Sequence, residues 1–151
     1  MICIALKDGV IKEYQEGISA AEIAKDLGAG LYKSACVCKI DGVVSDLRTP
    51  LTKDCSLEIL TFDNAEGKKA FWHTASHVLA QAVKRLYPTA KFAIGPAIEN
   101  GFYYDFDVEK AFSPEDLQAI KAEMKKIVKS GLEIEQFELP PAEAIKLLTD
   151  M

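Results

Sequence analysis

The sequence predicts an α+β fold in two successive parts: a small sheet wrapped over one helix, then an incomplete α+β unit built on a long histidine-bearing helix. Three observations carry that expectation. Short alternating runs of β type surround a single helical stretch in residues 1–62. A polar, turn-rich segment, Asp63-Asn-Ala-Glu-Gly67, then interrupts the apolar pattern. Beyond it, apolar residues recur at helical spacing over 70–87 and again after Ser113. With 151 residues the chain has room for one ordinary domain or two small ones. The expected boundaries are 1–62 and 69–151, with 63–68 as a linker.

The elements follow in order. Residues 2–6 and 10–14 alternate around Lys7-Asp8-Gly9 and read as a hairpin. Ser19-Ala-Ala-Glu22 has capping-box spacing, and the helix it opens stops at Gly28. After a turn near Gly30, residues 35–40 read as a strand, Asp41-Gly42 turns the chain, and Val43-Val44 follow. Pro50 interrupts, and residues 56–62 close the sheet. The long helix is ended by Pro88. Residues 91–94 and 101–107 read as strands joined through Gly95-Pro96 and Asn100-Gly101. Ser113-Pro114-Glu115-Asp116 combines an N-cap serine, a first-turn proline and first-turn acids, so a helix runs from there to about Ser130, with Gly131 as its stop. Residues 133–139 alternate like a strand, and Pro140-Pro141 leads into a short amphipathic tail. Apolar periodicity is still running at Met151, so the second unit is expected to be part of a longer one.

Composition excludes several classes. With 49% hydrophobic and 27% charged residues the chain is an ordinary globular one. No apolar run reaches the roughly 20 residues of a membrane span, and the first residues are no signal peptide, so a cytoplasmic setting with no membrane partner is expected. Cys3, Cys36, Cys38 and Cys55 fall mostly in β-like runs and read as small reduced core residues, not metal ligands. A net charge of −5 argues against binding nucleic acid by bulk electrostatics. Positive charge is local: Lys68, Lys69, Lys84, Arg85 and Lys91 flank the histidine helix, and Lys121, Lys125, Lys126 and Lys129 crowd the later one. Solvated helix faces explain the second cluster.

His73 and His77 are the only histidines. Four residues apart on a helix, they share a face. Projected at about 100° per residue, Phe71, Ala75, Val78, Leu79, Ala82, Val83 and Leu86 form an apolar arc, and the histidines lie opposite it beside Lys84 and Ala80. That removes the core-histidine reading and leaves two open: a shared site or two solvated side chains. A zinc-protease helix is excluded, because His-Thr-Ala-Ser-His lacks the glutamate that acts as general base. Two histidines also fall short of the three protein ligands of a catalytic zinc. Glu99, Asp105 or Asp107 could complete a set, but acids near turns are ordinarily solvated. No metal or other cofactor is expected in this chain, His73 and His77 being the only candidate ligands. In the aromatic run, Phe102, Tyr104 and Phe106 share one strand face, and Tyr103, Asp105 and Asp107 the other. The Tyr104 phenol could orient a ribose or a water near the imidazoles, or simply be buried with its hydroxyl satisfied.

The combination of His73-Thr-Ala-Ser-His77-Val-Leu-Ala-Gln-Ala-Val-Lys-Arg-Leu-Tyr-Pro88, Ile94-Gly-Pro96 and Asn100-Gly-Phe-Tyr-Tyr-Asp105 resembles the start of the editing domain of bacterial threonyl-tRNA synthetases. Residues 1–62 look like the TGS domain that precedes it there, a β-grasp (ubiquitin-like) fold. The resemblance implies hydrolytic proofreading of seryl esters at the 3′ end of the threonine tRNA. Serine lacks one methyl group of threonine, a difference worth only about 1–3 kcal/mol in a pocket. Carried over by position, His73 and His77 match the family's motif histidines, which position water and touch the terminal ribose, and Tyr104 matches a pocket-lining tyrosine. The family's site is completed by a later Cys-x-x-x-His element that these residues do not contain, so this chain is expected to hold half a site and to be inactive alone. ATP, threonine and zinc belong to the family's catalytic domain, also absent here, through which the parent enzyme is expected to form a homodimer. The competing expectation is a non-catalytic, RNA- or partner-binding regulatory module built on the TGS domain.

Overall fold

In the computed structural model, residues 1–132 and 137–149 are described. The first 61 residues build one five-stranded sheet and two helices. Strands β1 (Ile2–Leu6) and β2 (Ile11–Tyr14) pair antiparallel, as the alternation predicts. Gly9, at φ +83°, takes the left-handed turn position, and the Leu6 carbonyl accepts its N–H at 2.9 Å. Helix α1 (Ala20–Leu27) starts at the expected capping box, in which the Ser19 hydroxyl and the Glu22 carboxylate each receive the other's backbone N–H. Strands β3 (Ala35–Ile40), β4 (Val43–Ser45) and β5 (Cys55–Thr61) complete the order β2-β1-β5-β3-β4. Only β1 and β5 run parallel, which places the chain's first strand beside the sheet's last.

The apolar face of α1 lies on this sheet. Ile2, Ile4, Ile23, Cys38, Leu51 and Leu57 form its buried core. Two expectations for this part are corrected. Gly30 is not in a turn but inside a second helix, α2 (Ala29–Ser34), where the Ser34 hydroxyl donates to the Gly30 carbonyl at 3.0 Å. Cys3 is exposed, because β1 alternates and its neighbours Ile2 and Ile4 take the inward positions. Cys38 and Cys55 are buried as expected, and burial, with Asp46 and Cys55 nearby, pushes the Cys38 thiol up to about 11.

The expected linker is largely helical. Helix α3 (Ala65–Leu86) begins two residues after Asp63. Asn64 stands at the N-cap position, but its side-chain oxygen reaches back to accept the Thr61 N–H at 2.8 Å, so β5 passes into α3 through one tight turn. The first turn of α3 lies so close to β5 that a Cβ at Gly67 would overlap the Thr61 carbonyl oxygen. Lys39 on β3 pairs with Glu66 at 2.6 Å, tying the sheet to the helix a second time.

Helix α4 (Pro114–Ser130) packs along α3, with Ala82, Val83, Ala90, Ile120 and Ile127 as the shared core. It is capped at Ser113, with Asp116 reciprocating, and ends at left-handed Gly131, as its sequence signals predict. The expected strands between α3 and α4 are shorter and divided. β6 (Lys91–Phe92) pairs with β9 (Phe106–Asp107), while β7 (Ala97–Ile98) pairs with β8 (Gly101–Phe102). Residues 101–107 therefore serve two partners in succession and break between them. The expected strand at 133–139 has residues 133–136 outside the described ones, and 137–139 form no strand. The amphipathic tail forms helix α5 (Pro141–Thr149), with Ile145 and Leu148 exposed. No helix among the described residues is long and apolar enough to cross a membrane.

Candidate functional site

Helix α3 carries the two histidines over 22 residues rich in alanine, with Lys84 and Arg85 in its last turn and Pro88 just beyond. The apolar arc drawn from its sequence is displaced. Phe71 is 47% exposed and Ser76 only 1%. The helix meets β3 and β5 first and α4 later, so its buried stripe drifts around the axis instead of keeping one line. Ser76 is tolerated inside because its hydroxyl donates to the His73 carbonyl at 2.7 Å. Phe71 joins an aromatic cluster at the junction, edge-on to Phe62 at 5.1 Å and to Trp72 at 5.4 Å.

Both histidines stand on the exposed face, as the projection predicts. Their Nε2 atoms lie 3.1 Å apart and the rings meet edge to face, 4.6 Å between centroids at 83°. At that separation one imidazole donates its N–H and the other accepts. Two imidazoliums would set proton against proton, so the pair holds together as a neutral or singly charged unit. The His77 ring is held below the usual imidazole range, first by partial burial and then by the charge of His73. When that hydrogen bond opens, a neutral ring nitrogen on the exposed helix face can accept a proton from water, and the N–H of its partner can donate to a substrate oxygen. Among the described residues no three His, Cys, Asp or Glu side chains gather as metal ligands.

Tyr104 lies between β8 and β9. It is half-buried, stacked on Phe106 at 4.8 Å and 9°, and edge-on to Phe92 at 6.1 Å. Its ring covers the α-carbon of Gly95, where any Cβ would overlap it. Among the described residues, no hydrogen bond or ring contact joins Tyr104 to either histidine. Asp107 is engaged with Lys91 at 3.7 Å, while Asp105 offers its backbone to Ala93 and Ile94. The sequence marks Gly95 only as a strand joint and Ser76 only as part of the histidine motif, and shows the packing of neither. Their only signals were the Gly-Pro dipeptide and a serine three residues after His73.

Residues 2–61 match the TGS domain family. Helix α3 follows directly on the matched residues, and similarity to known proteins runs on through it. The chain is 58% identical over 150 residues, 99% of its length, to the threonine–tRNA ligase of Acetivibrio thermocellus. It is 57% identical over the same span to those of Clostridium tetani and of Clostridium perfringens strain SM101. The match lies in the N-terminal part of these ligases. The chain spans about a quarter of their length, 24%, 24% and 23% respectively.

Proposed function

We propose that this chain acts as the N-terminal region of a threonine–tRNA ligase, supplying the TGS domain and half of a site that hydrolyses mischarged seryl-tRNA. The observation that carries the reading is the similarity to threonine–tRNA ligases over 99% of the chain, which takes in the TGS-like residues and the histidine helix together. Residues 1–62 serve as the TGS domain and residues 69–151 as the first part of an editing domain. Attachment of threonine to its tRNA with ATP, the zinc site and the homodimer contact fall to the remainder of such a ligase, working in the cytoplasm. A stand-alone regulatory module is not favoured, since the relatives are ligases throughout their names.

In the proposed hydrolysis, the 3′ end of the threonine tRNA lies across the open face of α3. As the hydrogen bond between the imidazoles opens, the Nε2 that accepted it takes a proton from water while the water oxygen bonds to the ester carbonyl carbon. The ester C–O bond then breaks, and the ribose oxygen that leaves as an alkoxide takes up that proton from the imidazolium. The shared hydrogen bond holds the two rings together, and the lowered His77 ring stays neutral near pH 7, able to act as the base. Tyr104 lines the pocket for the terminal nucleoside.

Deacylation of seryl-tRNA tests this in the full-length ligase and in the 151-residue chain. Replacing His73 or His77 by alanine in the ligase is expected to slow hydrolysis by about 10²–10⁴-fold, the usual contribution of a positioned acid or base. The chain alone is expected to be inactive. Hydrolysis that survives loss of both histidines overturns the site assignment, and full activity in the isolated chain overturns the half-site.

A further inference from the structure

We infer that Lys69 and Lys84 are anion contacts that seat a single-stranded RNA 3′ end along α3, on either side of the histidine pair. This rests on the hydrolytic reading above and names further binding residues for it. On a helix, positions 69, 73, 77 and 84 fall within one stripe. All four are exposed. The stripe reads cation, imidazole, imidazole, cation, and its ends are about 22 Å apart along the axis. A single phosphate cannot meet both ends, whereas a strand carrying a phosphate at every nucleotide can.

The pairing of charges around the helix separates these two lysines from Lys39, Arg85 and Lys91, while Lys68, also without a carboxylate partner among the described residues, lies over the Phe62 ring at 5.4 Å. Lys39 is held by Glu66, Arg85 by Glu123 at 3.1 Å, and Lys91 by Asp107. Among the described residues neither Lys69 nor Lys84 has a carboxylate partner. Glu66, the acid nearest this stripe on α3 itself, is the one occupied by Lys39. Lys69 lines a cleft of about 380 Å³ between the start of α3 and the β7–β8 hairpin, with Lys68 and Glu99 also on its walls. Lys84 reaches past its own turn to the Pro88 carbonyl at 3.3 Å and over the Phe92 ring at 5.8 Å. Phe92 in turn abuts Tyr104. Lys84 thus marks the route from the imidazoles to the proposed nucleoside pocket, and Lys69 the entry at the other end. In a chain of net charge −5, a stripe with unneutralised cations at both ends fits a polyanion in one track.

The test is binding of a fluorescently labelled ten-nucleotide RNA ending in CCA, followed by anisotropy at several salt concentrations. The unsubstituted chain is expected to bind at low salt. K69Q and K84Q are each expected to bind more weakly and to lower the slope of log K against log salt by about 0.7, the value for one phosphate contact on a single strand. K69R is expected to restore the slope. K129Q on α4 makes the same charge change and is expected to leave the slope unchanged. No binding at low salt, slopes for K69Q and K84Q equal to that of K129Q, or equal affinity for a poly-glutamate peptide would each overturn the inference. Deacylation by the full-length ligase keeps the two readings apart: the lysine variants should raise KM at unchanged kcat, whereas the histidine variants should lose kcat. Loss of kcat in the histidine variants with no KM change in the lysine variants would remove the RNA track and leave the hydrolytic site standing.

Discussion

His77 owes its state to a facing imidazole, and Tyr104 owes its place to a neighbour with no side chain. His77 sits below the ordinary imidazole range because it is partly buried and faces His73. Its unfolded value is about 6.5, so the unfolded chain takes up a proton first as pH falls. Stability tied to this group is therefore complete above about pH 6.5 and is lost as pH drops towards the folded value. Urea midpoints at pH 7.5 and pH 5 should fall more for the unsubstituted chain than for His77→Ala. Tyr104 lies flat on Gly95 with no room for a Cβ. Gly95→Ala is expected to cost about 1–3 kcal/mol, the usual range for overpacking, and to move the Tyr104 ring, read as changed aromatic shifts of Tyr104, Phe92 and Phe106.

Among the elements, α4 depends most visibly on its ends. Ser113 accepts the Asp116 N–H at 3.2 Å, and Asp116 accepts both the Ser113 N–H at 2.8 Å and the Tyr87 hydroxyl at 2.7 Å. The cap thereby also pins the end of α3. Ser113→Ala should cost about 1 kcal/mol, measured by chemical denaturation. The Ser113 N–H, then the Tyr87 and Ser113 hydroxyls, hold the Asp116 carboxyl below its usual range. Its contribution is present above the unfolded value of about 3.9 and is lost as pH falls through the lower folded one. Acid unfolding of Tyr87→Phe should show a weaker dependence on pH in that window. These ends were legible in the sequence, because Ser-Pro-Glu-Asp and the closing glycine act through local backbone chemistry. The short strands between the helices were less so: β6 to β9 have two residues each, and their partners are set by which segment the chain meets next.

At the scale of the molecule, the five-stranded sheet and the histidine helix are joined without a spacer. Gly67 lies against the Thr61 carbonyl, and Asn64 bonds back to Thr61. Gly67→Ala must push α3 away from β5. The expected result is two resolved unfolding transitions in a calorimetric scan where the unsubstituted chain shows closer coupling. The sequence by itself determined the two-part α+β order, the caps, the hairpin and the placement of His73 and His77 on the polar face of a helix. Each of these rests on periodicity or on interactions within a few residues. Tertiary structure alone decided that the expected linker is helix, that Phe71 is exposed and Ser76 buried, and that Tyr104 rests on Gly95. It also decided which lysines near the histidines are already paired. Those outcomes depend on surfaces brought together from distant positions, and a one-dimensional pattern carries no record of which surface arrives.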